Sequence, residues 1–230
     1  LGPNGAGKST LHQALSGELA PTSGQIQFGR DDLAQLSALQ LARRRAVLLQ
    51  QDGLAFGFSV QELVLLGRHA AIDQRPDTTQ QVLTAVLQAM DLSHLAARRY
   101  LQLSGGERRR AQIARVLAQV WDVPNATLLL DEPTHSLDFG HQHAVLALLR
   151  QLAQQGFSIL ASLHDLNLTA AYAQRVSLLH AGNLVATGSP EAVLTEHKLQ
   201  SIYGDSLRFT AVPAPTGQQW LIHQAPAARV

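Results

Sequence analysis

Three short stretches of this 230-residue chain carry side chains suited to holding phosphate and activating water. The first is Gly2-Pro3-Asn4-Gly5-Ala6-Gly7-Lys8-Ser9-Thr10. Its small residues let the backbone curl and aim N–H groups at phosphate oxygens, and the helix that comes next adds the positive end of its dipole. Lys8 supplies a cation for the β- and γ-phosphates of a nucleotide, and the Ser9 hydroxyl can ligate Mg2+. The second is Leu128-Leu129-Leu130-Asp131-Glu132, an apolar run that delivers two carboxylates to the end of a strand, where ligands bind in open α/β sheets. Asp131 can hold Mg2+ through water, and Glu132 can orient and deprotonate an attacking water. The third is Leu103-Ser104-Gly105-Gly106-Glu107. Ser104 and Glu107 have the spacing of a capping box before a helix. Two consecutive glycines exceed what a cap needs and leave backbone N–H groups bare for an approaching anion.

These groups need a framework, and the spacing of apolar residues predicts one. Leu11, Ala14 and Leu15 fall on one helical face, and Gly17 ends that helix. Gln25 to Phe28 alternates like a strand after the turn residues Pro21 to Gly24, and Ala46 to Leu49 reads as a buried strand. Ser59 and Glu62 form a capping box that opens a helix running to Leu66, and Val82, Leu83, Val86, Leu87 and Met90 stripe another. Ala111 to Val120 is helical, Thr127 to Leu130 a strand, Ala144 to Leu152 an amphipathic helix, and Phe157 to Ala161 a buried strand that ends shortly before His164. Val176 to Leu179 and Leu184 to Thr187 predict a hairpin about Gly182-Asn183, and Ser189-Pro190 starts a helix. Strands alternating with helices predict a parallel sheet with helices packed on it. From about Asp52 to Leu103 there is almost no strand signal, so this stretch reads as an inserted helical lobe. After Pro213 only polarity stands out. Arg43 to Arg45 and Arg108 to Arg110 read as solvated faces, and His141 and His143 lie two apart, on different faces of a helix.

Composition narrows the classes further. Hydrophobic residues make up 46% and charged residues 15%, enough to build a core. A formal charge of +1 provides no global field to recruit nucleic acid or an anionic membrane. The absence of Cys excludes disulfides, thiol catalysis and thiolate metal sites. Apolar runs such as Ala144 to Leu149 fall far short of the roughly 18 residues of a membrane span.

With a phosphate loop first, the glycine pair next and the paired carboxylates last, the chain resembles the nucleotide-binding subunit of an ABC transporter. The resemblance implies an α/β fold of the P-loop NTPase (RecA-like) type, a single domain over residues 1–230. Residues 1–51 and 120–212 are expected to form the parallel-sheet core, 52–119 an inserted helical subdomain, and 213–230 a C-terminal tail. It also implies ATP and Mg2+ as cofactors, with Ser9, Gln50 and Asp131 at the metal; Gln51 next door is the alternative to Gln50. Glu132 and His164 become the catalytic pair, His164 touching the γ-phosphate. Ser104, Gly105 and Gly106 match the signature that contacts the ATP of the opposite protomer, and Ser136 to Asp138 match the loop that crosses the dimer interface. The family has a small residue where His135 stands. It also places antiparallel strands and an adenine-stacking aromatic ahead of the phosphate loop, so by this comparison the N-terminal strands are missing and the chain is a fragment.

Within the family, Phe56 to Val60, Leu66 to Arg68, Leu163 to Tyr172, Gly182 to Val193 and Tyr203-Gly204 resemble the ATPases of iron-chelate, vitamin B12 and haem importers. Ala114 to Trp121, with the polar insertion Asp122 to Asn125, is similar to the haem branch. The implied function is ATP hydrolysis that energises haem uptake, with ferric siderophore or vitamin B12 as alternative cargo. The implied partners are a second copy of the ATPase subunit, integral membrane permease subunits and, indirectly, a substrate-binding protein, with no nucleic acid. The implied location is peripheral, on the cytoplasmic face of the inner membrane. A soluble ABC protein acting on DNA or the ribosome is the rival reading. It requires a long coiled-coil insertion or two cassettes in one chain, whereas the 52–103 stretch is short and the motifs occur once. A non-catalytic nucleotide-binding module would not need Glu132 and His164.

Overall fold

The computed structural model describes residues 1–49, 57–71, 74–204, 207–214 and 217–224. Along the chain come α1 (Lys8–Leu15), the short strands β1 (Gln27–Phe28) and β2 (Asp31–Asp32), α2 (Ala38–Ala42) and β3 (Arg45–Leu48). Next are α3 (Val60–Leu66), α4 (Pro76–Ala89), α5 (Gly105–Val120), β4 (Thr127–Leu130), α6 (Phe139–Gln154) and β5 (Ser158–Ala161). The chain continues through α7 (Leu166–Tyr172), β6 (Val176–His180), β7 (Asn183–Gly188), α8 (Pro190–Val193), α9 (Glu196–Tyr203), β8 (Leu207–Ala214) and β9 (Gly217–Gln224). Two compact units result: His12–Ala161, and Leu1–Leu11 together with Ser162–Val230.

The unit of His12–Ala161 is built on a parallel sheet in the order β3-β4-β5. Leu128, Leu129 and Leu130 are all buried, which explains why the central strand reads as a continuous apolar run. In register, Leu48, Leu130 and Ala161 lie side by side, and the Asp131 N–H extends the ladder by donating to the Leu48 carbonyl at 2.9 Å. The residues immediately past β4 therefore emerge at the carboxyl edge of the sheet.

From residue 57 to 120 the described residues form helices and a single isolated bridge, Ser59 with Arg99. Helix α3 begins on the expected Ser59 and Glu62 box, and α5 on that of Ser104 and Glu107. Arg68, buried, grips both carboxylate oxygens of Asp122 at 2.7 and 2.9 Å and the Ala118 carbonyl at 3.0 Å, closing the C-terminal end of α5. At that same end the Gln119 amide donates to the carbonyls of Ala42 and Arg45 at 2.7 and 2.9 Å. The longest helix of this stretch is thereby fastened to the start of β3.

In the unit of Leu1–Leu11 and Ser162–Val230, β6 and β7 form the expected hairpin, but its turn is Ala181-Gly182. Their φ values of 46° and 78° suit the turn type that favours two-residue hairpins, and Asn183 already pairs with His180. The loop thus lies one residue ahead of the expected Gly182-Asn183. A larger departure comes at the C-terminus. Ala214 and Gly217–Gln224, past Pro213 where no pattern beyond polarity is expected, belong to the antiparallel hairpin β8–β9. Phe209 and Trp220 are its buried anchors, while Leu221 and Ile222 are both exposed, which erases the period-two signal of a half-buried strand. Among the described residues no helix is long and apolar enough to cross a membrane.

The two glutamate caps carry a pH signature. Hydrogen bonds from the Ser59 and Ser104 backbone N–H groups, then from their hydroxyls, hold the Glu62 and Glu107 carboxyls below their ordinary value of 4.5. A carboxyl whose folded pKa is depressed stabilises the fold fully above its unfolded value and loses that contribution as pH falls through the folded one. Thermal melts between pH 6 and pH 3 should therefore fall on acidification. The fall should be shallower in the Glu62→Gln, Glu107→Gln double variant, whose caps no longer titrate; an unchanged slope would remove these caps as its source.

Candidate functional site

The phosphate loop is built against β6. The Leu1 carbonyl accepts from the Leu179 N–H at 2.8 Å, so the loop leaves alongside that strand. Gly2 has φ 151°, and a Cβ there would sit 2.2 Å from the Leu179 carbonyl oxygen, so no side chain fits. The Ala6 N–H closes a turn on the Pro3 carbonyl at 3.2 Å, and the Gly182 N–H supports the Ala6 carbonyl at 3.2 Å. Gly5 and Gly7 adopt φ of 77° and 96°, a conformation open to glycine at little cost. Lys8, buried, opens α1 and turns its ammonium back on the loop, donating to the Gly2 and Pro3 carbonyls at 2.8 and 3.0 Å. Asn4, Gly5, Ser9 and Thr10 are exposed, and the N–H groups of the first turn of α1 lack intrahelical acceptors. These N–H groups and the Lys8 ammonium are the donors of the loop.

His164 is exposed and precedes the N-cap of α7. That cap is Asp165, whose carboxylate accepts the N–H groups of Asn167 and Leu168 at 2.7 and 2.9 Å.

In the other unit, β4 is followed by Asp131, only 2% exposed, and Glu132, half-buried with φ 48°. A left-handed conformation costs a non-glycine residue roughly 1–3 kcal/mol unless its surroundings enforce it. Here Arg109 of α5 enforces it, donating to the carbonyls of Asp131, Glu132 (2.7 Å) and Leu49 (3.4 Å). Arg109 is 5% exposed, and the neighbouring Arg110 is buried on the Met90 and Asp91 carbonyls at 2.8 and 2.7 Å, just past α4. The expectation of a solvated face over Arg108 to Arg110 is therefore corrected for two of the three. The arginines meet main-chain carbonyls, which leave no mark in the sequence. His12 has no sequence signal either: it is 3% exposed, its Nδ1 finds no hydrogen-bond partner among the described residues, and burial lowers its pKa against the pull of Asp131.

The glycine pair supplies the first two helical positions of α5. The Ser104 N–H donates to Glu107 at 2.7 Å and the Glu107 N–H to the Ser104 hydroxyl at 3.3 Å. A Cβ on Gly106 would lie 3.1 Å from the Ser136 carbonyl oxygen and 3.9 Å from Leu137, so this glycine also serves a close approach. The structure thus brings the glycine pair together with the loop after the carboxylates. In that loop Ser136 has φ 64° and shares a 2.8 Å hydrogen bond with His135 Nδ1. Asp138 caps α6, and its hydrogen bonds from the His141 N–H and ring hold its carboxyl below the ordinary range.

Gln50 and its alternative Gln51 lie outside the described residues. Among the described residues no three His, Cys, Asp or Glu side chains converge as a metal cage. Mg2+ needs less, because it keeps waters and takes one or two protein oxygens beside substrate phosphates. The Ser9 hydroxyl and the Asp131 carboxylate are hard oxygen donors of that kind.

A family model described as ABC transporter matches residues 1–135. The hemin import ATP-binding protein HmuV of Pseudomonas entomophila (strain L48) is 49% identical over 207 residues, covering 89% of this chain and 80% of that protein. The protein of the same name from Rhizobium etli is 42% identical over 228 residues, covering 97% and 86%. Among solved structures, a metal-chelate type ABC transporter in an inward-facing conformation superposes with a TM-score of 0.77 at 28% identity, covering 99% of this chain and 85% of that one.

Removing the guanidinium of Arg109 takes a donor from the carbonyls of Asp131, Glu132 and Leu49, of which Glu132 keeps the His135 N–H at 3.1 Å, and a hydrogen bond to a charged group is worth about 1.5–3 kcal/mol. Arg109→Met should lower stability by about 3 kcal/mol, or roughly 6–12 °C in Tm for a chain of this size. Arg43→Met, at an exposed position, should stay within about 0.5 kcal/mol. Equal melts for the two variants would contradict the carbonyl-bridging role.

Proposed function

Because the chain belongs to the ABC transporter family, we propose that it is the ATP-hydrolysing subunit of an importer whose cargo is haem. The observation that carries the cargo is the near-half identity, over most of the chain, to proteins named for hemin import. A second reading, uptake of another iron chelate such as a ferric siderophore, draws on the likeness to the metal-chelate type transporter. In either case two copies of the subunit work with integral membrane permease subunits, and indirectly with a substrate-binding protein, from the cytoplasmic face of the membrane.

The roles rest on the chemistry of the groups. Lys8 gives up its two carbonyl acceptors for β- and γ-phosphate oxygens, and the N–H groups from Gly5 to Thr10 take the remaining charge. Ser9, Gln50 and Asp131 would hold Mg2+, which would supply charge neutralisation at the phosphates. Glu132 accepts the proton of the attacking water as its oxygen bonds the γ-phosphorus, the bond between the γ-phosphorus and the ADP oxygen breaks, and phosphate and ADP are left. Its backbone, locked by Arg109, keeps the carboxylate at one place at the carboxyl edge of the sheet. His164 donates a hydrogen bond to the γ-phosphate. Ser104, Gly105 and Gly106 serve the ATP of the second copy, using the first-turn N–H groups of α5.

Glu132→Gln should leave ATP binding intact while lowering turnover roughly 10²–10⁴-fold, the usual cost of a lost general base, and should accumulate an ATP-loaded dimer. Filter binding and steady-state phosphate release measure both; near-normal release would sink the assignment. Cargo is tested by reconstituting the subunit with its permease in lipid vesicles. Haem should raise hydrolysis and accumulate inside, whereas ferric siderophore and cobalamin should not. Stimulation by ferric siderophore alone would move the cargo to the second reading.

A further inference from the structure

The hairpin β8–β9 is attached to the fold at one rung from both sides. Ala211 and Trp220 face each other across the two strands. The Ala211 N–H donates to the Glu196 carboxylate of α9 at 3.1 Å. On the other strand the Trp220 N–H donates to Asn167 Oδ1 at 2.6 Å, and Asn167 Nδ2 donates to the Trp220 carbonyl at 3.2 Å. Alternate rungs of an antiparallel pair turn their main-chain groups outward, and this is such a rung. A carboxamide is the short side chain that offers both a donor and an acceptor to an outward-facing strand residue. The Trp220 ring, 3% exposed, anchors the rung although its Nε1 finds no acceptor among the described residues. Tyr203 against Phe209, ring centres 5.6 Å apart, braces the hairpin from α9 as well.

Asn167 is held from its other side too. Its backbone N–H is bound by the Asp165 carboxylate at 2.7 Å, and the Asp165 carbonyl accepts from the Thr169 hydroxyl at 2.8 Å. Asp165 is the residue next to His164. The hairpin, 53 residues along the chain, therefore pins the first turn of α7 directly beside that histidine.

We propose that the C-terminal hairpin β8–β9 sets the position of His164, with Asn167, clamped to the main chain of Trp220, as the positioning residue. This rests on the reading of His164 as the histidine that meets the γ-phosphate. Phosphate binding at the loop of Gly2 to Thr10 does not pass through this clamp, so the hairpin governs turnover and leaves nucleotide affinity alone.

The test is steady-state ATP hydrolysis by the permease-bound subunit, with thermal melts alongside. Asn167→Leu, which abolishes both hydrogen bonds, should lower kcat roughly ten- to a hundredfold, the scale on which a small misplacement of a reacting group acts, with KM for ATP moved less than about twofold. Asn167→Asp keeps the acceptor for the Trp220 N–H and should recover part of kcat; it also carries the test should the leucine variant not fold. Glu196→Ala loosens the same rung from the α9 side and should lower Tm while leaving kcat within about twofold, because it does not touch α7. In a His164→Ala background, Asn167→Leu should lower kcat no further. Wild-type kcat in both Asn167 variants, or losses that add to that of His164→Ala, would overturn the hairpin's role while leaving the ATPase reading standing. A His164→Ala variant as fast as wild type would instead overturn the histidine's role, and this inference with it.

Discussion

The acidic end of β4 depends on a cation beneath it. Glu132 turns into a left-handed conformation immediately after the last ladder bond, and its carbonyl and that of Asp131 then point where no strand can serve them. Arg109 serves both through one terminal nitrogen. Because Arg109 lies in the second turn of α5, the first turn of that helix is fixed beside the loop after the carboxylates. This is why Gly106 meets Ser136 closely enough that an added methyl would crowd the Ser136 carbonyl oxygen. Gln119 ties the far end of α5 to the start of β3, so one helix is fastened to the sheet at both ends. The glycine pair and the carboxylates share a frame for that reason.

The other unit uses two hairpins differently. The turn of β6–β7 lies under the phosphate loop, its Gly182 N–H supporting the Ala6 carbonyl. The β8–β9 hairpin has no sheet to join among the described residues and fastens to helices, through Asn167 of α7 and Glu196 of α9. A two-stranded hairpin is marginal by itself in water, and packing against helices provides what it lacks.

Local rules made much of this legible. The central strand Thr127 to Leu130 appears with its expected bounds because a buried parallel strand is apolar on both faces. The caps at Ser59, Ser104 and Ser189 are visible because each is settled within four residues. The family was readable because the phosphate loop, glycine pair and carboxylates each need particular residue types in a particular order. What escaped was settled by partners distant in sequence. Arg109 and Arg110 looked solvated because their acceptors are carbonyls, and every residue has one. The β8–β9 hairpin escaped because, among the described side chains, only Phe209 and Trp220 are buried along it and Pro213 interrupts the pattern. The Gly182-Asn183 turn was misplaced by one residue because Ala181 accepts a positive φ that its type disfavours.

The inward fold of Lys8 has a consequence for how the loop meets anions. With its ammonium bonded to the Gly2 and Pro3 carbonyls, the Lys8 cation keeps its charge but is solvated by the loop's own dipoles. Occupancy becomes a displacement reaction in which two internal bonds are surrendered before any are made to phosphate. A chloride or a lone sulfate, touching only a few of the surrounding amides, recovers little of that outlay. A polyphosphate long enough to engage the curl of the backbone and the ammonium together recovers it in full. The inward fold of Lys8 thus favours ligands that reach the ammonium and the backbone amides at once.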